Sequence, residues 1–297
     1  MTRLVRAAVL ALLFPFLVAA QPPEPEADEP EEPDFFFLTG GPYTQKKNSP
    51  QVIWANQWFF DREGPERSRE FTGAGRAEWG LTDRLEVDFE FGALALRQRA
   101  AGVTTFSESG AADLLLGVRY RLLREGPFPF TLTTGPQISA PVASRRRGLG
   151  TGEVTLAWDL AVAKDWGGPV YLAASANLSV TPDAASFPDG SGPDFGLTTV
   201  ESSVALGWRA LERKAATGGH HDIHVFFEVA AAREEETEAG ARVRSTPVAF
   251  SPGFRYGFLS RGGRLAEIGL AFPAGLNRAA PDWGVILQVQ FELPPVF

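Results

Sequence analysis

The segment Arg84–Phe91 alternates strictly in polarity. Leu85, Val87, Phe89 and Phe91 fall on one side, and Glu86, Asp88 and Glu90 fall on the other. Successive side chains of a β-strand point to opposite faces, whereas a helix would scatter both sets around its circumference. The pattern returns near the end of the chain, where Val285, Leu287, Val289, Phe291 and Leu293 oppose Gln288, Gln290 and Glu292. About twelve segments of this kind can be drawn, over 51–60, 69–79, 84–98, 111–124, 128–141, 151–165, 169–181, 195–210, 222–233, 246–259, 264–275 and 282–293. Strands of soluble proteins commonly run about five or six residues. Most of these are longer, as strands that cross a bilayer are.

The apolar face of these segments is almost free of charge. It carries Leu114, Leu116, Val118 and Tyr120, then Val154, Leu156, Trp158 and Leu160, then Val204, Leu206 and Trp208, then Phe250, Phe254, Tyr256 and Phe258. An Arg or Lys there would cost about 2–4 kcal/mol at mid-bilayer. Trp79, Trp166 and Trp283 lie near strand ends, where interfacial aromatic residues belong. After about residue 50 no stretch reaches the ~18 apolar residues of a transmembrane helix. A soluble β-sandwich would also alternate, but with shorter strands.

The connections alternate in length. Short ones fall at Leu81–Asp83, Glu125–Pro127, Trp166–Gly168 and Ser260–Gly263, and longer ones at 61–68, 99–110, 142–150, 182–194, 234–245 and 276–281. The exception is Leu211–His221, which is long for its place in the series. The fold expected is therefore all-β, a transmembrane antiparallel up-and-down β-barrel of about 12 strands spanning 50–297. In a bacterial outer membrane it would have both termini in the periplasm.

The N-terminus agrees with that destination. Arg3 and Arg6 precede an apolar run, Ala7–Leu17, and the small residues Ala19–Ala20. Residues 1–20 thus read as a signal peptide. Residues 21–49 follow as an acidic, Pro-rich periplasmic segment, with QPPEPEADEPEEPD at its start. Within it Phe35-Phe36-Phe37-Leu38 is abruptly apolar. The bland reading is a short strand or a membrane-interface contact; the sharper one is a plug tucked into the barrel mouth. No Cys is present, which excludes disulfides and Cys-ligated metal, and a net charge of -8 gives no support to a nucleic-acid partner.

Function in a barrel resides on the inward face. Its charged residues are expected at Arg76, Glu78, Glu86, Asp88, Glu90, Arg119, Arg121, Arg255, Glu267 and Glu292. Arg76 should lie near Asp88, Glu78 near Glu86, and Arg255 opposite Glu267. Another wall is small or neutral, with Ala157, Ala173, Ser175, Asn177, Ser203 and Ala205. Two readings follow. Either the small wall borders a passage, making the chain a channel or transporter for small, hydrophobic or aromatic molecules, or the charged network fills the lumen of a closed structural or adhesion barrel.

An enzyme acting on lipid is the third reading. The three His, His220, His221 and His224, cluster at one strand start. His220 and His221 would project to opposite faces and no carboxylate follows at ligand spacing, so neither a metal site nor a cofactor is expected. A Ser203–His224 nucleophile pair would be needed for hydrolysis. Arg145-Arg146-Arg147 in a loop is either a contact to lipopolysaccharide phosphates or a solvated tip.

Two resemblances add to this. Phe297 as the final residue, with Leu287, Val289 and Phe291 spaced by two before Leu293, is similar to the C-terminal signal of outer-membrane barrels read by the barrel-assembly machinery. Three stretches resemble the transporter family of the MetA-type phenol-degradation pathway: Trp79–Glu86 (WGLTDRLE), Asp113–Leu123 (DLLLGVRYRLL), and the Pro-rich segment before Gly150-Thr151-Gly152. That likeness covers roughly 40–297. It implies passage of a small-molecule solute across an outer membrane whose lipid and lipopolysaccharide surround the barrel.

Overall fold

In the computed structural model the strands close on themselves. The structure describes residues 35–63, 66–100, 102–150, 152–185, 194–214, 219–238, 241–260 and 265–293. The signal peptide, residues 21–34 and the C-terminal signal beyond Leu293 lie outside them.

Twelve staves form the wall: β1 (Pro50–Glu63), β2 (Glu66–Thr82), β3 (Leu85–Ala100), β4 (Val103–Ala111 and Leu114–Leu123), β5 (Thr131–Ala140), β6 (Thr155–Asp165), β7 (Val170–Ala185), β8 (Asp194–Lys214), β9 (His220–Glu238), β10 (Ala241–Ser245 and Val248–Leu259), β11 (Leu265–Ala271 and Ala274–Gly275) and β12 (Trp283–Glu292). Each pairs antiparallel with the next. β12 returns to β1 through a ladder running from Gln51↔Glu292 to Phe60↔Trp283. Closure leaves no free sheet edge, which lipid could not hydrate. All twelve expected strands are present. The even count puts the start of β1 and the end of β12 at one end of the barrel, called here the terminal end, opposite the loop end.

Burial is inverted relative to a soluble protein. Phe91, Val204 and Phe291 point outward and are 49%, 49% and 48% exposed, while Gln51 and Gln290 point inward at 0% and 1%. Half-exposed apolar side chains on every stave make a lipid-facing belt. Tyr120 and its cross-strand partner Leu85 are exceptions, each under a tenth exposed.

Two expectations about connections need correcting. Leu211–His221 is not a long turn, because β8 continues to Lys214 and β9 begins at His220, which pairs with it. Much of 61–68, 99–110 and 234–245 is hydrogen-bonded hairpin rather than loop, with Glu63↔Glu66, Ala100↔Val103 and Glu238↔Ala241 closing three of them. These extensions rise past the belt, where both faces meet water and polarity no longer alternates. Among the described turns at the terminal end, Gly126 and Gly167 adopt positive φ (111° and 69°), a region open to glycine without a Cβ penalty.

The belt makes a quantitative prediction. Val204→Arg places a charge at mid-belt and should lower folding stability in phosphatidylcholine vesicles by about 2–4 kcal/mol, against about 0–1 for Leu211→Arg near the terminal rim. Denaturant titration in vesicles reads both. Equal costs would contradict the assigned membrane depth.

Candidate functional site

A strap threads the lumen. Residues 35–45, expected to belong to a periplasmic segment over 21–49, lie inside the barrel, with Lys46 and Lys47 exposed at its rim, so Phe35–Leu38 is the plug rather than an interface contact. The strap leaves β1 at the terminal end. There Asn48 donates its N–H to the Gly80 carbonyl (2.7 Å) and Lys47 donates to Asp83 Oδ1 (3.2 Å). Deeper, Gln45 donates its backbone N–H to Glu86 Oε2 (2.5 Å) and its side-chain amide to Gln51 and Glu78. Arg119 donates to the Gly41 carbonyl, Thr133 to the Pro42 carbonyl, and Gly40 N–H to Ser175 Oγ (3.0 Å). Finally Glu228 accepts three successive N–H groups, from Phe37 (2.9 Å), Leu38 (2.8 Å) and Thr39 (2.8 Å).

This arrangement follows from the strap's shape. It is irregular, so it lacks a ladder to satisfy its backbone, and buried N–H and C=O groups must find partners. The wall supplies them from side chains. One of them is the guanidinium of Arg119, and a hydrogen bond to a charged group contributes roughly 1.5–3 kcal/mol.

Apolar packing holds the same segment. Phe35, Phe36 and Phe37 meet Phe226 at ring-centroid distances of 6.5, 5.7 and 5.9 Å, and Phe36 lies 6.2 Å from Tyr171. Room comes from small wall residues. A Cβ on Gly269 would sit 2.7 Å from both the Phe35 and Phe37 rings, and one on Gly207 would sit 2.2 Å from Tyr171. Ala173 and Ala205, expected beside a passage, are 1% and 0% exposed, within the same cluster as Phe36. Ser175 and Ser203 bond to each other at 2.8 Å. Asn177 donates to Gln137 Oε1 at 3.5 Å, and Ala157 faces Gln137 across β5–β6.

The charged residues form two groups. In the first, Arg76 Nε stands 3.2 Å from Glu78 and 4.0 Å from Glu90, and Arg119 Nη1 is 3.1 Å from Glu86. Arg121 Nη2 donates to the Asp83 carbonyl at 2.6 Å. The β2–β3 register differs from expectation by two residues: Arg76 faces Glu90, not Asp88, and Glu78 faces Asp88. An irregularity between Gly80 and Thr82 moves the turn along the chain. Diagonal contact survives, since the Glu78, Glu86 and Asp88 carboxylates lie within 4.8 Å of one another. In the second group Arg255 pairs with Glu267 diagonally, since the register sets Glu267 opposite Gly257 rather than Arg255, and with Asp222 at 3.0 Å. Glu292 continues the inward face of β12 at the terminal end, opposite Gln51.

His224 sits in that second group. Its Nδ1 is 2.8 Å from the Tyr171 hydroxyl and its Nε2 is 3.2 Å from Asp222. Ser203 is committed to Ser175, so the Ser–His pair is not formed. His221 points outward and stacks on Tyr256 (5.8 Å), while His220 faces the terminal-end cavity. Arg145–Arg147 form a single 3-10 turn, from which Arg147 reaches Glu108 at 2.6 Å. The inward list drawn from sequence omitted Asp159, Tyr171, Phe226 and Glu228. The signal was present in Val225-Phe226-Phe227, where apolar residues occupy both parities, so that Phe226 faces something other than water on the inside.

The strap divides the lumen. A cavity of about 930 Å³ opens at the terminal end, lined among others by Arg124, Arg209, Asp222 and His224. Farther in, a cavity of about 100 Å³ lies among Arg76, Arg119, Asp159 and Gln288. Tyr43 borders both.

No protein-family model and no characterised protein matches the sequence. Solved structures match the fold. An outer membrane channel from Pseudomonas putida F1 is similar with a TM-score of 0.58 and 14% identity, over 90% of this chain and 100% of that one. The beta domain of the Bordetella autotransporter BrkA is similar with a TM-score of 0.52 and 11% identity, over 82% of this chain and 99% of that one. The chain thus has the fold of bacterial outer-membrane β-barrels.

Glu228 is the strap's main clamp, and its removal is measurable. Glu228→Ala leaves three buried N–H groups without an acceptor. Hydrogen exchange at Phe37, Leu38 and Thr39 should then accelerate by at least about tenfold, while exchange in β1 and β12 stays unchanged. Unchanged exchange at Phe37–Thr39 would show that apolar packing alone holds the strap.

Proposed function

We propose that this chain is an outer-membrane channel for small molecules, shut in this conformation by its own strap. The observation that carries the reading is what fills the barrel. In a closed structural barrel, side chains of the wall itself occupy the interior. Here the middle is filled by residues 35–45, and the wall leaves room for their rings with small residues such as Ala173, Ala205, Gly253 and Gly269. Movement of the strap would leave a lumen between the charged groups of β2–β4 and the small wall of β6–β8.

The solute class follows from the seat. Phe35–Phe37 rest on Phe226 and Tyr171, so withdrawal of the strap would present an aromatic surface inside a polar tube. A small aromatic molecule carrying a polar group fits both. The resemblance to the phenol-pathway transporters and the fold shared with the Pseudomonas channel support the same reading. With the loop end facing outward, the 930 Å³ cavity would be the periplasmic exit.

Planar-bilayer recording tests this. The intact mature chain should give little steady conductance. Deletion of 35–45 should give a steady open level, and so should Gly269→Leu, whose side chain would occupy the Phe35 and Phe37 seat. Heat-modifiable mobility confirms that each variant is folded. Folded variants that remain non-conducting would overturn the channel and leave a closed structural barrel.

A further inference from the structure

The outer surface of β1–β3 carries a feature that a channel does not use. Outward-facing positions alternate along these staves with Trp54, Phe71 and Phe91. Above the belt the same parity brings Arg62, Arg67, Arg69, Arg97 and Arg99 to the outside, and all are exposed. The register sets them side by side. Arg62 faces Arg67, which faces Arg99 on the next strand. One step toward the belt, Phe60 faces Arg69, which faces Arg97.

Like charges directly opposite one another destabilise a sheet, so this cluster has an electrostatic cost that the fold itself does not relieve. Among the described residues none of these arginines has a carboxylate partner. Arg69 lies over the Phe60 ring at 5.8 Å, and Arg97 reaches only the Thr104 hydroxyl at 3.4 Å. Three loop-end arginines elsewhere are paired: Arg244 with Glu235 at 2.8 Å, Arg242 with Glu235 at 3.8 Å and Arg147 with Glu108 at 2.6 Å.

Immediately below lies an aromatic ledge. Trp283 stacks on Phe60 at 4.2 Å and Trp58 tilts against Phe71 at 5.4 Å. Trp58, Phe60, Arg69, Phe71 and Arg97 line a cavity of about 550 Å³. The carboxylates that also reach it, Glu70 and Glu108, come from the inward parity of the sheet, and Glu108 is held by Arg147.

We infer that this patch is a binding site for a phosphorylated glycolipid of the outer leaflet. Guanidinium groups would take its phosphates through paired N–H donors, and the aromatic ledge would take the first part of its acyl chains. Guanidinium forks match phosphate geometry, and clustered arginines at a membrane surface attract anionic headgroups. The site's height decides between occupants. It is continuous with the lipid-facing belt and lies directly above it, where a membrane lipid is always present and a soluble acidic partner is not. This assignment rests on the loop end facing outward and is independent of whether the lumen conducts.

Native mass spectrometry of the full mature chain in detergent, titrated with diphosphoryl lipid A, tests it. Diphosphoryl lipid A should bind at least about tenfold more tightly than the fully dephosphorylated lipid, and Arg69→Ala/Arg97→Ala/Arg99→Ala should abolish that difference. An Arg146→Ala control on the 3-10 turn should leave it intact, and strap-deleted protein should bind as the intact chain does. Equal binding of both lipid forms, or a folded triple variant that keeps the preference, would overturn the site. Complete displacement by millimolar inorganic phosphate would reduce it to a simple anion site and overturn the glycolipid assignment. If the triple variant does not fold, the comparison of lipid forms on the unaltered chain decides alone.

Discussion

Everything in this structure depends on satisfying backbone hydrogen bonds where water is absent. In hydrocarbon an unpaired N–H or C=O costs several kcal/mol, and only a closed set of strands avoids it without helices. The β1–β12 ladder is therefore the decisive contact, although its residues lie at opposite ends of the barrel sequence. Once the wall is closed, lipid dictates the outward side chains and the enclosed volume dictates the inward ones. The strap then faces the same problem a second time. It is irregular backbone inside a barrel, and no ladder is available to it. Glu228, Glu86, Arg119, Thr133 and Ser175 answer as side chains what strands answer for one another.

That answer explains the asymmetry of the wall. Carboxylates and guanidinium groups on β2–β4 and β9 hold the polar backbone of the strap, and Ala, Gly and Ser on β6–β8, β10 and β11 make room for its rings. The two sets are complementary: without the small wall the rings would not fit, and without the charged groups the strap's N–H groups would stay buried and unpaired. The charged network grips a separate segment rather than filling the space itself.

How much of this the sequence shows follows from which environment each residue meets. The barrel was legible because lipid on one side and a lumen on the other enforce period two over long segments. The hairpin extensions at the loop end were not, since water on both faces removes the contrast, and Glu63, Glu66 and Glu238 then read as loop. The β2–β3 register was missed by two residues because backbone irregularity at Gly80–Thr82 leaves no mark in polarity. The strap was half legible. Phe35–Leu38 stood out as apolar after an acidic tract, but its partner Glu228 is separated from Phe37 by 191 residues, and alternation says nothing about contacts across a lumen. The small wall could be expected from composition, but not the strap that occupies the space beside it.

The balance between the two kinds of strap contact bears on reversibility. A plug held by rings alone would gain from every apolar surface it buried, and leaving would expose Phe35, Phe36 and Phe37 together. The strap's hydrogen bonds to wall side chains face a different exchange. Water or a polar solute entering the 930 Å³ cavity can replace the wall's acceptors and donors one at a time, because each such bond contributes only a small net free energy against hydration. An aromatic solute could at the same time replace the Phe rings on Phe226 and Tyr171. On the proposed channel reading, a small aromatic, polar molecule would itself supply both kinds of contact, and the energy needed to open the lumen would fall as it arrived.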